Sequence, residues 1–406
     1  MPKSNIYVGL EIGTSKICAV VGEVRGDGAI KILGVGQYPS SGVRKGEIVD
    51  IAAAQTCLHE ALVNAEERSD IMVAGVCLAV TGAHIESVSN RGCIRVADEN
   101  SEISPADLEE VKAIARDVAI PEQNAVVHTI VQHYYVDDQE KVLNPVGMLG
   151  QKLEADYHII HGVKNRIQNA IRCVREISME VDDIVFSPLA AAQVVLNREA
   201  KQQGSVLIDI GGGTSDYILY LDGAVVASGS LGLGGDHITN DLSVVLKVPR
   251  SKAEKLKLEE GSVANGSGEV EGVVDLEAGS HFAGGEVEKS LVNQVIAMRL
   301  REMLELIYKR LASTGYLKQV GKGIYLTGGT SLLHGIEDLT EDVFGLPVQK
   351  GGAASMTGPA AIFESPQYAM PVGLVRYAQL LDQQRPSKGR IKALGQALTG
   401  IFGGGR

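Results

Sequence analysis

The 406-residue chain sets 38 Lys and Arg against 50 Asp and Glu, a formal net charge of -12. That balance argues against a general nucleic-acid surface, and the length exceeds one hydrophobic core, pointing to roughly two to four domains. Hydrophobic residues make up 45%, Trp is absent and Phe scarce, so the cores must be aliphatic; 48 glycines suit many tight strand–loop junctions. Cys18, Cys57, Cys77, Cys93 and Cys173 are scattered without a CxxC, which reads as reduced thiols of a cytosolic protein. The opening Met1–Asn5 leads straight into a strand without a signal pattern, and no apolar run approaches a membrane span.

In chain order, Ile6–Ile12, Ile17–Val24 and Ile30–Val35 read as strands, with Arg25–Gly28 as a turn. Ile51–Glu67 has helical spacing, and Val73–Val80 is a further strand. Residues 84–160 change texture and read as an inserted α+β unit. Ser104 caps a helix there, Pro105 fits its first turn, Asp107 reaches back, and Leu108, Val111, Ile114 and Val118 form its apolar stripe. Strands follow at Val126–Tyr135 and Leu153–Ile160, a helix at Asn165–Ile177, a short strand at Ile184–Phe186, and a helix from Ser187 to about Arg198. Ser205 opens a second strand–loop–strand unit that repeats the start of the chain. Helices are expected up to Leu246, from a Ser251 cap over Lys252–Glu260, and over Glu286–Leu311, the last with Leu291, Val295, Met298, Met303, Leu306 and Ile307 as its apolar residues.

Three Gly-Thr-Ser triplets, at 13–15, 213–215 and 329–331, each follow a short apolar run. The first two runs carry a carboxylate, Glu11 and Asp209, directly before Ile-Gly. Glycine lets such a turn tighten and lets a ligand approach the backbone, while successive amides form a concave anion site. A carboxylate at the strand end suits magnesium held through water. The two loops read as halves of one clamp at a cleft between two similar lobes. The sequence holds no GxxxxGK[ST], no GxGxxG after a strand and no GxSxG. His158 and His161 fall in a strand-like run, where i and i+3 face opposite ways, so they do not read as a metal pair.

Gly-Leu-Glu-Ile-Gly-Thr-Ser-Lys (9–16) and Ile-Asp-Ile-Gly-Gly-Gly-Thr-Ser-Asp (208–216) resemble the two phosphate loops of the actin, Hsp70 and sugar-kinase superfamily. Tyr325–Ser331 resembles its adenosine loop, and Ala253-Glu254-Lys255-Leu256-Lys257 its A-E-x-x-K segment. Within that superfamily, residues 9–16, Leu-Ala-Val-Thr-Gly-Ala-His-Ile (78–85), Asn-Pro-Val-Gly (144–147) and the tail are similar to the FtsA family of bacterial cell-division proteins.

The resemblance implies an α/β, actin-like two-lobed ATPase fold with duplicated β-rich subdomains, an inserted α+β subdomain and a C-terminal amphipathic helix. The expected division is 1–83 with 161–198 as the first lobe, 84–160 as the insertion, 199–240 with 316–381 as the second lobe core, and 241–315 as its small subdomain. Residues 382–387 would link to a tail at 388–406. ATP would be held by Gly13, Thr14, Ser15 and Lys16 from one side and Gly211, Gly212, Gly213 and Thr214 from the other. Gly328, Gly329 and Thr330 would line adenine, with Glu254 and Lys257 at the ribose. Glu11 and Asp209 would place Mg2+ through water. Glu11 stands where the superfamily often has Asp. The implied role is a nucleotide-binding scaffold, at most a weak ATPase, that polymerises and tethers FtsZ filaments at the division site on the inner membrane face. Ile296, Arg299 and Glu302 are the candidate FtsZ contacts, and the insertion would meet neighbouring subunits and later division proteins. A PilM-like pilus assembly ATPase and a small-molecule kinase of the same superfamily stay open as alternatives; a base for a kinase does not stand out.

On a helix, Ile391, Leu394, Leu398, Ile401 and Phe402 share one face, and the segment carries Arg390 and Lys392 in an otherwise acidic chain. This pattern reads as a helix lying on an anionic membrane. Each basic residue near the surface contributes about 1 kcal/mol and each buried large apolar side chain roughly 1.5–3 kcal/mol, against about 1 kcal/mol lost at each of Gly395 and Gly400. One tail therefore binds weakly, and many tails on a polymer bind by avidity.

Overall fold

A computed structural model describes residues 5–384 apart from 26–28, 98–99, 138, 140, 264–271, 277, 279–281, 283, 354–355 and 358–363. The expected turn at Gly26–Gly28 and the tail, with Arg390, Ile391, Lys392, Leu394, Leu398, Ile401 and Phe402, lie outside the described residues.

Two sheets share one design. In the first, strands Ile6–Ile12, Lys16–Val24 and Ile30–Pro39 form an antiparallel meander, and Gly75–Val80 and Glu180–Phe186 add in parallel on the other side of Ile6–Ile12. In the second, Ser205–Ile210, Ser215–Leu221 and Ala224–Leu231 form the meander, and Ile324–Thr327 and Val348–Lys350 add in parallel. Strands flanked by helices on both faces become continuous apolar runs, and Ile17–Val21 and Val206–Ile208 are accordingly buried throughout. Helix Ile51–Ser69 starts where the Asp50 side chain accepts the Ala53 N–H at 3.1 Å and stops at Asp70 in the left-handed region. It covers one face of the first meander with Ala54, Leu58, Ala61, Leu62 and Ala65.

The insertion is a three-stranded antiparallel sheet, in the order Ile85–Arg95, Lys152–Val163, Asn124–Val136, backed by helix Pro105–Arg116. The expected cap is present: Asp107 accepts from the Ser104 N–H at 2.8 Å and from its hydroxyl at 2.6 Å. Val111 and Ala115 form its buried face, whereas Ile114 is exposed.

Several boundaries and faces differ from expectation. Ser187–Val195 ends at Leu196, and a second short helix, Arg198–Gln203, restarts on the Asn197 cap, whose side chain accepts the Ala200 N–H at 2.7 Å. Helix Arg250–Glu259 begins after Pro249, so Ser251 lies inside it. Helix Lys289–Ser313 buries Val292, Ile296, Leu300, Met303, Leu304, Ile307 and Leu311, while Met298 is exposed and Leu291 partly so. Its apolar residues are spread around much of its circumference, and the inward stripe is set by the packing of the helix against the second sheet and its flanking helices rather than by hydrophobicity alone.

The largest departure concerns the end of the described chain. Residues 316–381 do not all belong to the second lobe. Met356–Thr357 pairs with Ile30–Lys31 at the edge of the first sheet. Helix Ala369–Gln384 packs Val372 and Val375 against Val20 and Ile30 of that sheet, and it takes in Asp382–Gln384, expected as linker. The reason is apolar: the outer face of the first meander needs a cover, and this helix supplies it. Met370 and Leu374 also join Leu189, Leu207, Ile218 and Tyr220 in a core shared by both lobes. Among the described residues, no helix is long and apolar enough to cross a membrane.

Candidate functional site

The two glycine loops close with the same bond. Gly13 N–H donates to Lys16 O at 3.0 Å, and Gly211 N–H donates to Thr214 O at 2.9 Å. The registers Ile12↔Ile17 and Ile210↔Ser215 make Gly13 the counterpart of Gly211 and Glu11 the counterpart of Asp209. The Gly-Thr-Ser triplets are therefore not themselves the repeat, because the second lies two residues further along its loop than the first. The carboxylate before Ile-Gly is the element that truly recurs.

The loops meet. A Cβ at Gly212 would lie 3.1 Å from Ser15 Cβ, and one at Gly213 would collide with Thr14 Oγ1. The third loop joins them: Thr330 donates its hydroxyl to Gly211 O at 3.0 Å. Gly328 has φ +85°, and any Cβ there would collide with Asp209 Oδ1 and Ile210 O, so only glycine fits. Helix Gly235–Leu246 starts against the second loop, with Gly235 and Asp236 N–H donating to Gly211 and Gly212 O at 2.9 and 2.7 Å.

Together these elements wall a cavity of about 610 Å3. It gathers Glu11, Gly13, Thr14, Ser15, Lys16, Asp209, Gly211, Gly212, Gly213, Thr214, Glu254, Lys257, Gly328, Gly329 and Thr330, every residue the sequence singled out for nucleotide and metal. Glu254 and Lys257 form a pair at 2.7 Å, and Lys257 also donates to Thr239 Oγ1 at 2.9 Å and Gly235 O at 3.3 Å. Thr239 in turn donates to Glu254. Lys16 reaches the cavity with its ammonium donating to Gln367 O at 3.1 Å and lying 4.1 Å from the Tyr368 ring centroid.

Three carboxyls meet here, Asp216 buried and Glu11 and Asp209 half-buried at the cavity wall. Burial pushes Glu11 up, with Lys16 opposing and Asp216 reinforcing. Burial, then the neighbouring Asp216 and Glu11, push Asp209 well above the usual range. Burial raises Asp216 to about 6, opposed by nearby hydroxyls, of which Thr81 donates a hydrogen bond to Asp216 Oδ2. Glu11 Oε2 is buried with no hydrogen-bond partner. Desolvated acids with an orphaned oxygen are stabilised by protonation or by nearby positive charge, and among the described residues no three His, Cys, Asp or Glu side chains are grouped to hold a metal ion directly.

Sequence reasoning missed Asp216, Thr81, Gly46, Glu47, His84, Arg166 and His334, all of which line the cavity. Asp216 had a signal, since it ends the second glycine motif on the strand leaving the loop. Thr81 and His84 lie in the family-like segment 78–85 but were not read as site residues, and the others come from separate segments that only the fold assembles. Ile296 does not fit the partner contact expected of it. Ile296 is fully buried in the second-lobe core and offers no surface to a partner. Arg299 pairs with Asp241 at 2.5 Å and Glu302 at 2.6 Å, so it is already engaged. His158 and His161 are both buried and hydrogen-bonded separately, to Ser228 Oγ at 2.8 Å and to the Asn124 side chain at 2.9 Å.

A family model described as cell division protein FtsA matches residues 206–373, and one described as the SHS2 domain inserted in FtsA matches 82–161. The cell division protein FtsA of Pseudomonas aeruginosa is 36% identical over 92% of this chain and 89% of its own length. That of Escherichia coli K12 is 32% identical over 92% and 90%. Solved structures share the fold at low identity. The PilM–PilN type IV pilus biogenesis complex superposes with a TM-score of 0.66 at 17% identity, covering 95% of this chain and 100% of that one. MreB5 of Spiroplasma citri bound to AMPPNP gives 0.53 at 16%, covering 94% and 98%. The fold is that of the actin-like ATPases, and by sequence over nearly its whole length the chain belongs to the FtsA family of cell-division proteins.

Proposed function

We propose that this protein binds ATP with Mg2+ between its lobes, self-associates in the nucleotide-bound form, and tethers FtsZ filaments to the inner face of the cytoplasmic membrane. One observation supports this above the rest: two equivalent hairpin loops from opposite lobes converge, each with a half-buried carboxylate at the same offset, on a single cavity. The orphaned Glu11 oxygen and the raised Asp209 and Asp216 fit a hydrated Mg2+, which would neutralise phosphate charge when bound. Glu11 and Asp209 would hold it through water. Gly13–Lys16 and Gly211–Thr214 would take the phosphates, and Lys257 with Glu254 the ribose. The protein then acts as a scaffold whose closure, rather than rapid turnover, is the useful event.

The small subdomain around helix Lys289–Ser313 is the proposed FtsZ-binding unit, with Glu302 on its exposed surface and Ile296 withdrawn from the contact set. The insertion is proposed to face neighbouring subunits and later division proteins. The tail would anchor the assembly by its apolar face and basic residues. Vesicle co-sedimentation with and without Mg-ATP tests the reading, comparing the full chain with one ending at Ser387. Lipid binding that depends on the tail and strengthens with ATP is expected. Tail-independent binding would overturn the anchor, and an absence of ATP binding by calorimetry would overturn the site.

A further inference from the structure

Between the first meander and helix Ile51–Ser69 lies a small hairpin, Val43–Arg44 paired with Glu47–Ile48. Its two-residue tip is Lys45-Gly46, with φ +53° and +74°. That is the geometry of a type I′ turn, and lysine at its first position is held in a region that side chains seldom adopt. Such a residue persists only where its surroundings fix it, and here they do.

The tip crosses the cleft. Gly46 N–H donates to Thr14 Oγ1 at 3.0 Å, on the first lobe's glycine loop. The backbone of Lys45 lies on the second lobe's loop, since a Cβ at Gly213 would sit 2.9 Å from both Lys45 N and Cα. A Cβ at Gly46 would sit 3.0 Å from Thr214 Cγ2 and 2.9 Å from Thr81 Cγ2. The Lys45 stem passes Gly232 of the second lobe, where a Cβ would lie 3.5 Å from Lys45 Cδ. Glu47, next along, pairs with Arg166, and both line the cavity mouth. The hairpin thus touches both glycine loops without belonging to either.

Resting on the reading of the cavity as a nucleotide site, we infer that the Lys45–Gly46 turn is an interlobe clasp. It does two things. By occupying a lone pair of Thr14 Oγ1, the Gly46 amide leaves that hydroxyl's proton to be given to a ligand oxygen, which makes Gly46 a positioning residue. By wedging against Gly213 and Gly232, the turn holds the second lobe closed, so nucleotide enters and leaves only when the tip lifts.

A cross-link tests the clasp directly. A Cβ at Gly232 would lie 4.0 Å from Lys45 Cβ, within disulfide range. The pair Lys45→Cys and Gly232→Cys, made in a Cys93→Ser background because Cys93 is the exposed cysteine among the described residues, should oxidise readily. Oxidised after loading with a fluorescent ATP analogue, it should release nucleotide at least about tenfold more slowly than the same protein reduced. Failure to cross-link, or release at the reduced rate once cross-linked, overturns the proposal. The reduced protein reports separately whether nucleotide binds at all. Should it not bind, amide exchange of the ligand-free protein still decides. Gly46→Ala should raise exchange at Gly235 and Asp236, which hang on the second loop, and leave the inserted sheet unchanged; unaltered exchange at both overturns the clasp.

Discussion

Thr81 of the first lobe donates its hydroxyl to Asp216 Oδ2 of the second at 2.5 Å, a bond drawn straight across the cleft. Thr81 follows strand Gly75–Val80, and Asp216 lies on the strand leaving the second glycine loop, so the two sheets are joined at the ends that face the cavity. Removing one partner of a buried pair leaves the other desolvated and unmatched, at about 1–3 kcal/mol. Thr81→Val should lower unfolding stability by that amount and weaken ATP binding, as read by urea titration and calorimetry. Thr81→Ser should restore both.

Asp216 also sets a pH signature. Its folded pKa of about 6 lies above the ordinary 3.8. The unfolded chain therefore releases this proton first, and the associated stability is present below pH 4 and lost as pH rises through 6. Asp216→Asn removes the liability while keeping an acceptor for Thr81. The ligand-free variant should be more stable than the parent at pH 7.5, by at most on the order of 3 kcal/mol, and indistinguishable near pH 3.5. Thermal denaturation at the two pH values checks this, and equal midpoints at pH 7.5 would contradict it.

His128, half-buried on the inserted sheet, acts in the opposite sense. His128 Nε2 accepts the Phe186 N–H at 3.0 Å, which requires the neutral ring, and burial pulls its pKa to about 4 from 6.5. The stability it contributes is whole above pH 6.5 and disappears as pH falls through 4. His128→Gln should flatten the decline in stability between pH 7 and 4.5, measured by urea midpoints. A slope unchanged by the substitution would rule out this assignment.

Lys257 presents a buried ammonium to the cavity, held by Glu254 and Thr239. A charge-assisted hydrogen bond contributes about 1.5–3 kcal/mol. Lys257→Met should therefore reduce ATP affinity by about 10- to 100-fold in calorimetry, with secondary structure preserved by circular dichroism.

Ile296 is a core residue, and truncating such a side chain costs about 2–5 kcal/mol. Ile296→Ala should lower the denaturation midpoint. Any loss of FtsZ-peptide binding should track the unfolded fraction and vanish under stabilising conditions.

Much of this was legible in the chain and some was not, for definable reasons. Strand–loop–strand units announce themselves locally, because a fully buried strand is a continuous apolar run and its glycine turn follows at once. Glu11 and Asp209 were therefore readable as a matched pair. The inward face of Lys289–Ser313 was not, because Leu291 and Met298 are as apolar as Val292 and Ile296 and only the neighbouring sheet distinguishes them. Nor was the return of Met356–Thr357 and Ala369–Gln384 to the first lobe, since a two-residue strand and a helix cover carry no mark of the distant surface they meet. Gly46 was invisible for the same reason, and Thr81, though within the family-like segment 78–85, carried no mark of its partner Asp216 across the cleft.

That return has a mechanical meaning. Tyr7 donates its hydroxyl to Asp382 at 3.1 Å, riveting the end of helix Ala369–Gln384 to the very first strand. The last described helix is thus fixed to the first lobe, whereas the proposed FtsZ-binding helix Lys289–Ser313 belongs to the second. A filament tugging on one and a lipid leaflet restraining the other would load the molecule in series, with the nucleotide pocket as the link under tension.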